Sequence, residues 1–105
     1  MRVRVRFHEQ LSDDFERWAE FMASFGENGK ALHALLVRVL IDRFEETSGF
    51  IPEARMATVL GQPAFRWEFQ PDVWIVYRIR DRRTWLRSTR DVIIVGIETP
   101  LSSGS

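Results

Sequence analysis

Arg2-Val3-Arg4-Val5-Arg6-Phe7 alternates strictly between charged and apolar residues. That period of two predicts a half-buried strand, with Val3, Val5 and Phe7 on one face and three Arg on the other. The period then changes. Phe15, Trp18, Phe21, Met22 and Phe25 recur at helical spacing, behind Ser12-Asp13-Asp14 and ahead of Gly26. Ser12 followed by two acids is a helix start whose charges complement the helix dipole, and Gly26 is a natural stop. Asn28 is placed to cap a second helix, whose apolar face reads Leu32, Leu35, Leu36, Val39, Leu40 and Phe44 and which ends near Ser48-Gly49.

Residues 50–63 mix Pro52, Gly61 and Pro63 with the short apolar run Met56 to Leu60, and read as a connector with at most a turn of helix. Phe65-Arg66-Trp67-Glu68-Phe69 alternates again, aromatics inward. Gln70-Pro71-Asp72 makes a tight turn. Val73 to Ile79 is apolar on both faces for most of its length, which suggests a central strand. Residues 80–90 read as a long hairpin connection carrying Arg80, Arg82, Arg83, Arg87 and Arg90, and Val92 to Ile97 is the last strand.

The order predicts an α+β, two-layer domain, β-α-α-β-β-β, with two helices packed on one face of a mostly antiparallel four-stranded sheet. One domain spans residues 1–99, followed by a short polar tail, 100–105. The uncovered sheet face should show Arg2, Arg4, Arg6, Arg66, Glu68, Trp74, Val76, Arg78 and Arg80.

Composition adds bounds. At 105 residues, 45% hydrophobic and 12% aromatic, the chain can build one core. It has no Cys, so neither a disulfide nor a thiolate metal site is available. No run approaches the roughly 20 apolar residues of a membrane span, and no signal-peptide segment follows the first strand. A cytoplasmic location without membrane contact is the expectation.

The formal net charge is zero, yet it divides. Residues 8–53, the helical part, hold ten acids and four bases; the remainder holds five acids and eleven bases. Fourteen of the fifteen bases are Arg, whose planar fork suits phosphate and carboxylate. The division reads either as opposite charges decorating a solvated surface or as an acidic helical layer beside a basic sheet face.

Candidate chemistry is sparse. His8 and His33 lack companions at metal spacing, so no metal or cofactor is called for. Asp13-Asp14 reads as helix-start chemistry. The open-face Arg set with Trp74 could hold phosphates and stack a base. The hairpin residues Arg82, Arg83, Trp85 and Arg87 are candidates for a contact role, because Trp85 and Leu86 have no core to join at the tip.

The element order resembles the RelE/ParE toxin superfamily. The likeness is carried by Leu60-Gly61, Phe65-Arg66-Trp67-Glu68, Asp72-Val73-Trp74-Ile75-Val76-Tyr77-Arg78-Ile79 and Asp91-Val92-Ile93-Ile94-Val95-Gly96-Ile97. The resemblance implies a toxin controlled by an antitoxin-like peptide, acting on mRNA at the ribosome or on a gyrase-type target. Arg66 falls where the nucleases of that family place a basic group. Trp74 stands where they have Arg, and Glu98-Thr99-Pro100 where a His or Arg is common.

The resulting expectation is a toxin-like binding domain with catalysis weak or absent. Its binding face is Arg4, Arg6, Arg66, Trp74, Arg78 and Arg80, and its partner is a nucleic acid, a nucleoprotein or an acidic antitoxin-like peptide. One alternative is a metal-independent, ribosome-dependent mRNA endonuclease using Arg66, Arg78 and an Arg from the hairpin as charge stabilisers. The other is a homodimer that buries Trp74, Trp85 and Leu86 between protomers. Burial under the 52–63 connector is the expected fate of Trp74.

Overall fold

The computed structural model describes residues 2–100, so of the polar tail only Pro100 lies within the described residues. The elements are β1 (Arg2–Phe7), α1 (Ser12–Ala23), α2 (Gly29–Thr47), β2 (Arg55–Val59), β3 (Gln62–Gln70), β4 (Val73–Arg83) and β5 (Ser88–Glu98). The α+β, two-layer expectation holds, and the sheet is mostly antiparallel. It has five strands rather than four, in the order β1-β5-β4-β3-β2, with β1 running parallel to β5.

The additional strand comes from the segment read as a connector. Leu60 and Gly61 both take positive φ, 51° and 76°, the geometry of a two-residue turn that matches the twist of a hairpin. Val59 therefore pairs with Gln62, and Arg55 with Arg66. Gly61 punctuates a hairpin here, not an irregular link.

A second correction concerns the 80–90 connection. The β4–β5 ladder continues through Asp81↔Arg90, Arg82↔Thr89 and Arg83↔Ser88. The long loop is thus a two-stranded arm closed by a short turn at Trp85 and Leu86.

The helices cover one face. Trp18 and Met22 of α1 and Leu40 and Phe44 of α2 pack with Trp67, Ile75, Tyr77, Val92, Ile94 and Ile97. Phe44 meets Tyr77 and Trp67 edge-on at centroid distances of 4.7 and 5.8 Å, a favourable aromatic geometry. The Tyr77 hydroxyl donates to the Gly49 carbonyl at 3.3 Å, and burial pushes its pKa up to about 12.

Helix ends depart from the expected caps. A single 3-10 turn, Glu9–Leu11, runs straight into α1, so Ser12 lies inside the helix; His8 Nδ1 caps the turn by accepting from Gln10 N at 3.2 Å. Asp14 does more than complement a dipole. Its Oδ2 accepts from the Ile97 amide at 3.1 Å, tying α1 to β5, beside the bulge where the β4–β5 register shifts.

Asn28 makes no side-chain cap. The start of α2 rests on Gly29, where a Cβ would lie 2.1 Å from the Met22 carbonyl oxygen, so only glycine lets the two helices turn so tightly. The expected α2 face is split. Leu36, Leu40 and Phe44 turn inward, whereas Leu32, Leu35 and Val39 are exposed, as is Phe25 beyond the end of α1. One helix stripe buries against the sheet, and the neighbouring apolar positions lie to its side.

Candidate functional site

Strand pairing settles which residues share the uncovered face. In β4, Val73, Ile75 and Tyr77 enter the core beneath the helices, so Trp74, Val76, Arg78, Arg80 and Arg82 point the other way. Register sets Arg66 beside Val76 and Glu68 beside Trp74. Across β5, Arg4 aligns with Asp91, and Arg80 aligns with Asp91 from the other side. The expected face is therefore assembled, and it divides into two regions of different electrostatics.

In the first region the guanidiniums are occupied. Arg66 Nε donates to Glu98 Oε1 at 2.7 Å, while its guanidinium carbon lies 3.9 Å from the Trp74 ring centroid. Trp74 is thus half-buried and roofed by Arg66, with Glu53 and Arg55 of the 52–63 segment lining the depression beside it, and it is not a free stacking platform. Its roof is a cation–π contact.

Arg78 is held as firmly. Its Nη1 donates to Gln62 Oε1 at 2.7 Å and its Nη2 to the Val59 carbonyl at 2.8 Å. Arg78 thereby staples β4 to the β2–β3 turn. The two candidate catalytic groups do not converge. Trp74 and Arg78 flank Val76 on opposite sides, and Arg66 leans toward Trp74.

The second region is centred on Asp91, whose side chain is only 1% exposed. Arg4 Nε lies 3.4 Å from Oδ1; Arg6 Nη1 and Arg82 Nε lie 3.8 and 3.6 Å from Oδ2. Those separations are ion-pair distances, longer than hydrogen bonds, and neither carboxylate oxygen has a hydrogen-bond partner. The three guanidiniums are each about half exposed. Among the described residues no ion pair or hydrogen bond engages the Arg2 or Arg80 side chains.

Three Arg (Arg4, Arg6 and Arg82) thus share a single carboxylate, with Arg2 and Arg80 on the same face. A buried carboxylate needs paired cations to remain charged, and here one carboxylate gathers more cations than it can neutralise. A depression of about 480 Å³, lined by Gln62, Pro63, Arg78, Ile79, Arg80 and Ile93, opens between the two regions.

Asp91 and Glu98 were missed as site residues. A signal for Asp91 existed: the alternation of Val92 and Ile94 into the core puts Asp91 on the same face as the Arg rows.

The β4–β5 arm carries Arg82, Arg83, Trp85 and Arg87. At its base, Arg90 donates two hydrogen bonds to Asp81, at 2.7 and 2.9 Å, donates to the Ser48 carbonyl at 3.2 Å, and sits over the Phe50 ring. The paired guanidinium lowers the Asp81 pKa, and the same hydrogen bond raises that of Arg90.

At the tip, Thr84 N donates to the Arg87 carbonyl at 2.8 Å, and Arg87 N donates to Thr84 Oγ1 at 3.0 Å. Trp85 is 92% and Leu86 71% exposed.

His33 of α2 packs against α1, edge-on to Trp18 at 4.7 Å, and burial lowers its pKa. Among the described residues no group of three His, Asp or Glu could hold a metal ion, and no helix is long and apolar enough to cross a membrane. No family model, no curated protein and no solved structure matches this chain.

Proposed function

We propose that this chain is a toxin-like, nucleic-acid-binding domain that acts by contact, holding phosphates on the basic region of its open sheet face. The observation that carries the reading is the gathering of Arg4, Arg6 and Arg82 around the buried Asp91, with Arg2 and Arg80 on the same face and without an ion pair among the described residues. Asp91 fixes guanidiniums that would otherwise repel one another, and their outer N–H groups remain free for phosphate oxygens. The rhythm of the β3–β5 meander, through which the chain resembles the RelE/ParE toxins, supports the toxin-like part of the reading.

Contact rather than cleavage is favoured by the state of Arg66 and Arg78. Stabilising charge on a reacting phosphate requires preorganised, unspent donors. Arg66 is spent on Glu98 and Trp74, and Arg78 on Gln62 and Val59.

Binding of a fluorescent oligonucleotide, followed by anisotropy across salt concentrations, tests the reading. About four phosphate contacts give a log–log salt slope near −3.6 on duplex DNA, so affinity should fall roughly 100-fold between 50 and 200 mM salt. Binding that ignores salt, or no binding at 50 mM, overturns it. A polyglutamate that competes as well as the oligonucleotide would transfer the face to an acidic peptide partner.

A further inference from the structure

The two-stranded arm is unexplained by a flat phosphate-binding face, because it projects beyond that face and ends in two uncovered apolar side chains. Arms of this kind cost solubility and conformational order unless something receives the tip. Three features of its construction define the receiver.

The arm is held out stiffly. Arg90 clamps its base to Asp81 and to the Ser48 carbonyl at the end of α2, and reciprocal Thr84–Arg87 hydrogen bonds close its tip. It is narrow. Two paired strands about 4.8 Å apart, with side chains, span roughly the 12 Å width of the major groove of B-DNA, which admits a two-stranded ribbon.

Its charges also flank its apolar end. The Arg82 guanidinium turns back to Asp91, but Arg83 precedes Trp85 by two residues on one strand, about 7 Å of extended chain, and Arg87 follows Leu86 toward the other strand. The major groove is about 8.5 Å deep, so a tip on the groove floor brings the Arg83 and Arg87 guanidiniums level with the phosphates on either wall.

From this geometry we infer that the arm reads duplex DNA by entering the major groove, with Trp85 and Leu86 against the groove floor and Arg83 and Arg87 on the flanking phosphates. Apolar side chains on that floor find one apolar feature, the C5-methyl group of thymine. The arm therefore prefers thymine-containing steps, while the Asp91-centred face supplies sequence-independent affinity along the adjoining backbone. An A-form RNA duplex, whose major groove is too deep and narrow for side chains to read, gains nothing from the tip. The inference rests on the nucleic-acid reading above and adds the target class and the element that selects it.

The test is anisotropy on one T-rich DNA duplex, the same duplex with every thymine replaced by uracil, and the corresponding RNA duplex, with wild type and Trp85→Ala/Leu86→Ala. Both tip residues lie outside the core, so the variant keeps its fold, which circular dichroism verifies. The wild type should lose about fourfold in affinity per methyl contacted when thymine becomes uracil, and the variant should be insensitive to the exchange. Both should bind the RNA duplex equally.

Equal wild-type affinity for the thymine and uracil duplexes, with binding otherwise intact, overturns the arm's role and leaves the phosphate-binding face standing. No binding to any of the three overturns both. Tip-dependent binding to anionic phospholipid vesicles without a thymine preference also overturns it, assigning the tip to a membrane surface.

Discussion

The two regions of the open face begin from the same instruction and end in different states. Each is a set of Arg delivered by alternating strands. Around Trp74, Arg66 of β3 and Arg78 of β4 have each found partners of their own, Glu98 for Arg66 and Gln62 with the Val59 carbonyl for Arg78. Around Asp91, three Arg have one carboxylate among them, and that carboxylate is buried.

A partnered Arg acts as a fastener: Arg78 joins β4 to the β2–β3 turn, and Arg66 covers Trp74. An unpartnered Arg is held in place at an electrostatic cost that an incoming anion relieves. Exposed basic residues are therefore not equivalent evidence for binding, and the supply of nearby acceptors decides between the two roles.

The sharpest way to break that comparison is to reverse charge in one region and neutralise it in the other. Arg4→Glu/Arg6→Glu removes two phosphate contacts and adds two repulsive charges, so nucleic-acid affinity at 50 mM salt should fall at least about 100-fold. Arg66→Ala/Arg78→Ala should change it by less than about threefold, while lowering stability through loss of the Arg78 staple. Equal losses of affinity from the two pairs, measured by anisotropy on folded protein, would erase the distinction.

The sequence made the faces legible and left their electrostatics hidden, for a physical reason. Alternation fixes parity, so Arg4, Arg6, Arg66, Trp74, Arg78 and Arg80 could be assigned to one face before any pairing was known. Which guanidinium meets which acceptor depends on register between strands far apart in the chain.

Arg66 and Glu98 are 32 residues apart and meet across β4; Arg4 meets Asp91 because β1 adds to the sheet edge parallel to β5, an arrangement no local pattern encodes. The fifth strand escaped for a related reason. Met56 to Val59 has weak alternation, and its strand character comes from pairing with β3 through the Leu60-Gly61 turn. The exposed Leu32, Leu35 and Val39 show the same limit in α2: helical spacing marks a broad apolar face, whereas tertiary packing covers only one stripe of it.

Asp91→Asn sharpens the comparison at its centre. The substitution removes the charge that holds Arg4, Arg6 and Arg82 together, and the three guanidiniums it leaves are about half exposed and can turn to water. The cost to folding should therefore be about 1–2 kcal/mol, a fall in melting temperature of roughly 4–16 °C for a domain of this size. Affinity should move the other way or stay level, because the region becomes more positive. If the melting temperature is unchanged, Asp91 organises nothing and the cluster is incidental. If affinity collapses in protein that remains folded, the carboxylate is required to pose the Arg, and the free charge alone is insufficient.

The smallest expected effect tests whether the partnered region is silent only because of its partner. Glu98→Gln keeps the size of the side chain and a hydrogen-bond acceptor but removes the charge opposite Arg66. The pair is exposed, so the loss of stability should stay within about 1 kcal/mol. Arg66 then resembles Arg80: a cation on the open face with no compensating carboxylate, still steadied by the Trp74 ring at 3.9 Å.

One further phosphate contact adds about 0.9 to the salt slope, and affinity at 50 mM salt should rise by about twofold to fivefold, with Glu98→Gln/Arg66→Ala returning to the wild-type value. Glu68→Gln adds the same charge to the face without releasing an Arg, since Glu68 accepts from the Asp72 amide and pairs with no Arg among the described residues; an equal gain there would make the whole face one continuous field. A gain confined to Glu98→Gln would mean that the acceptor beside each Arg decides what that Arg can do.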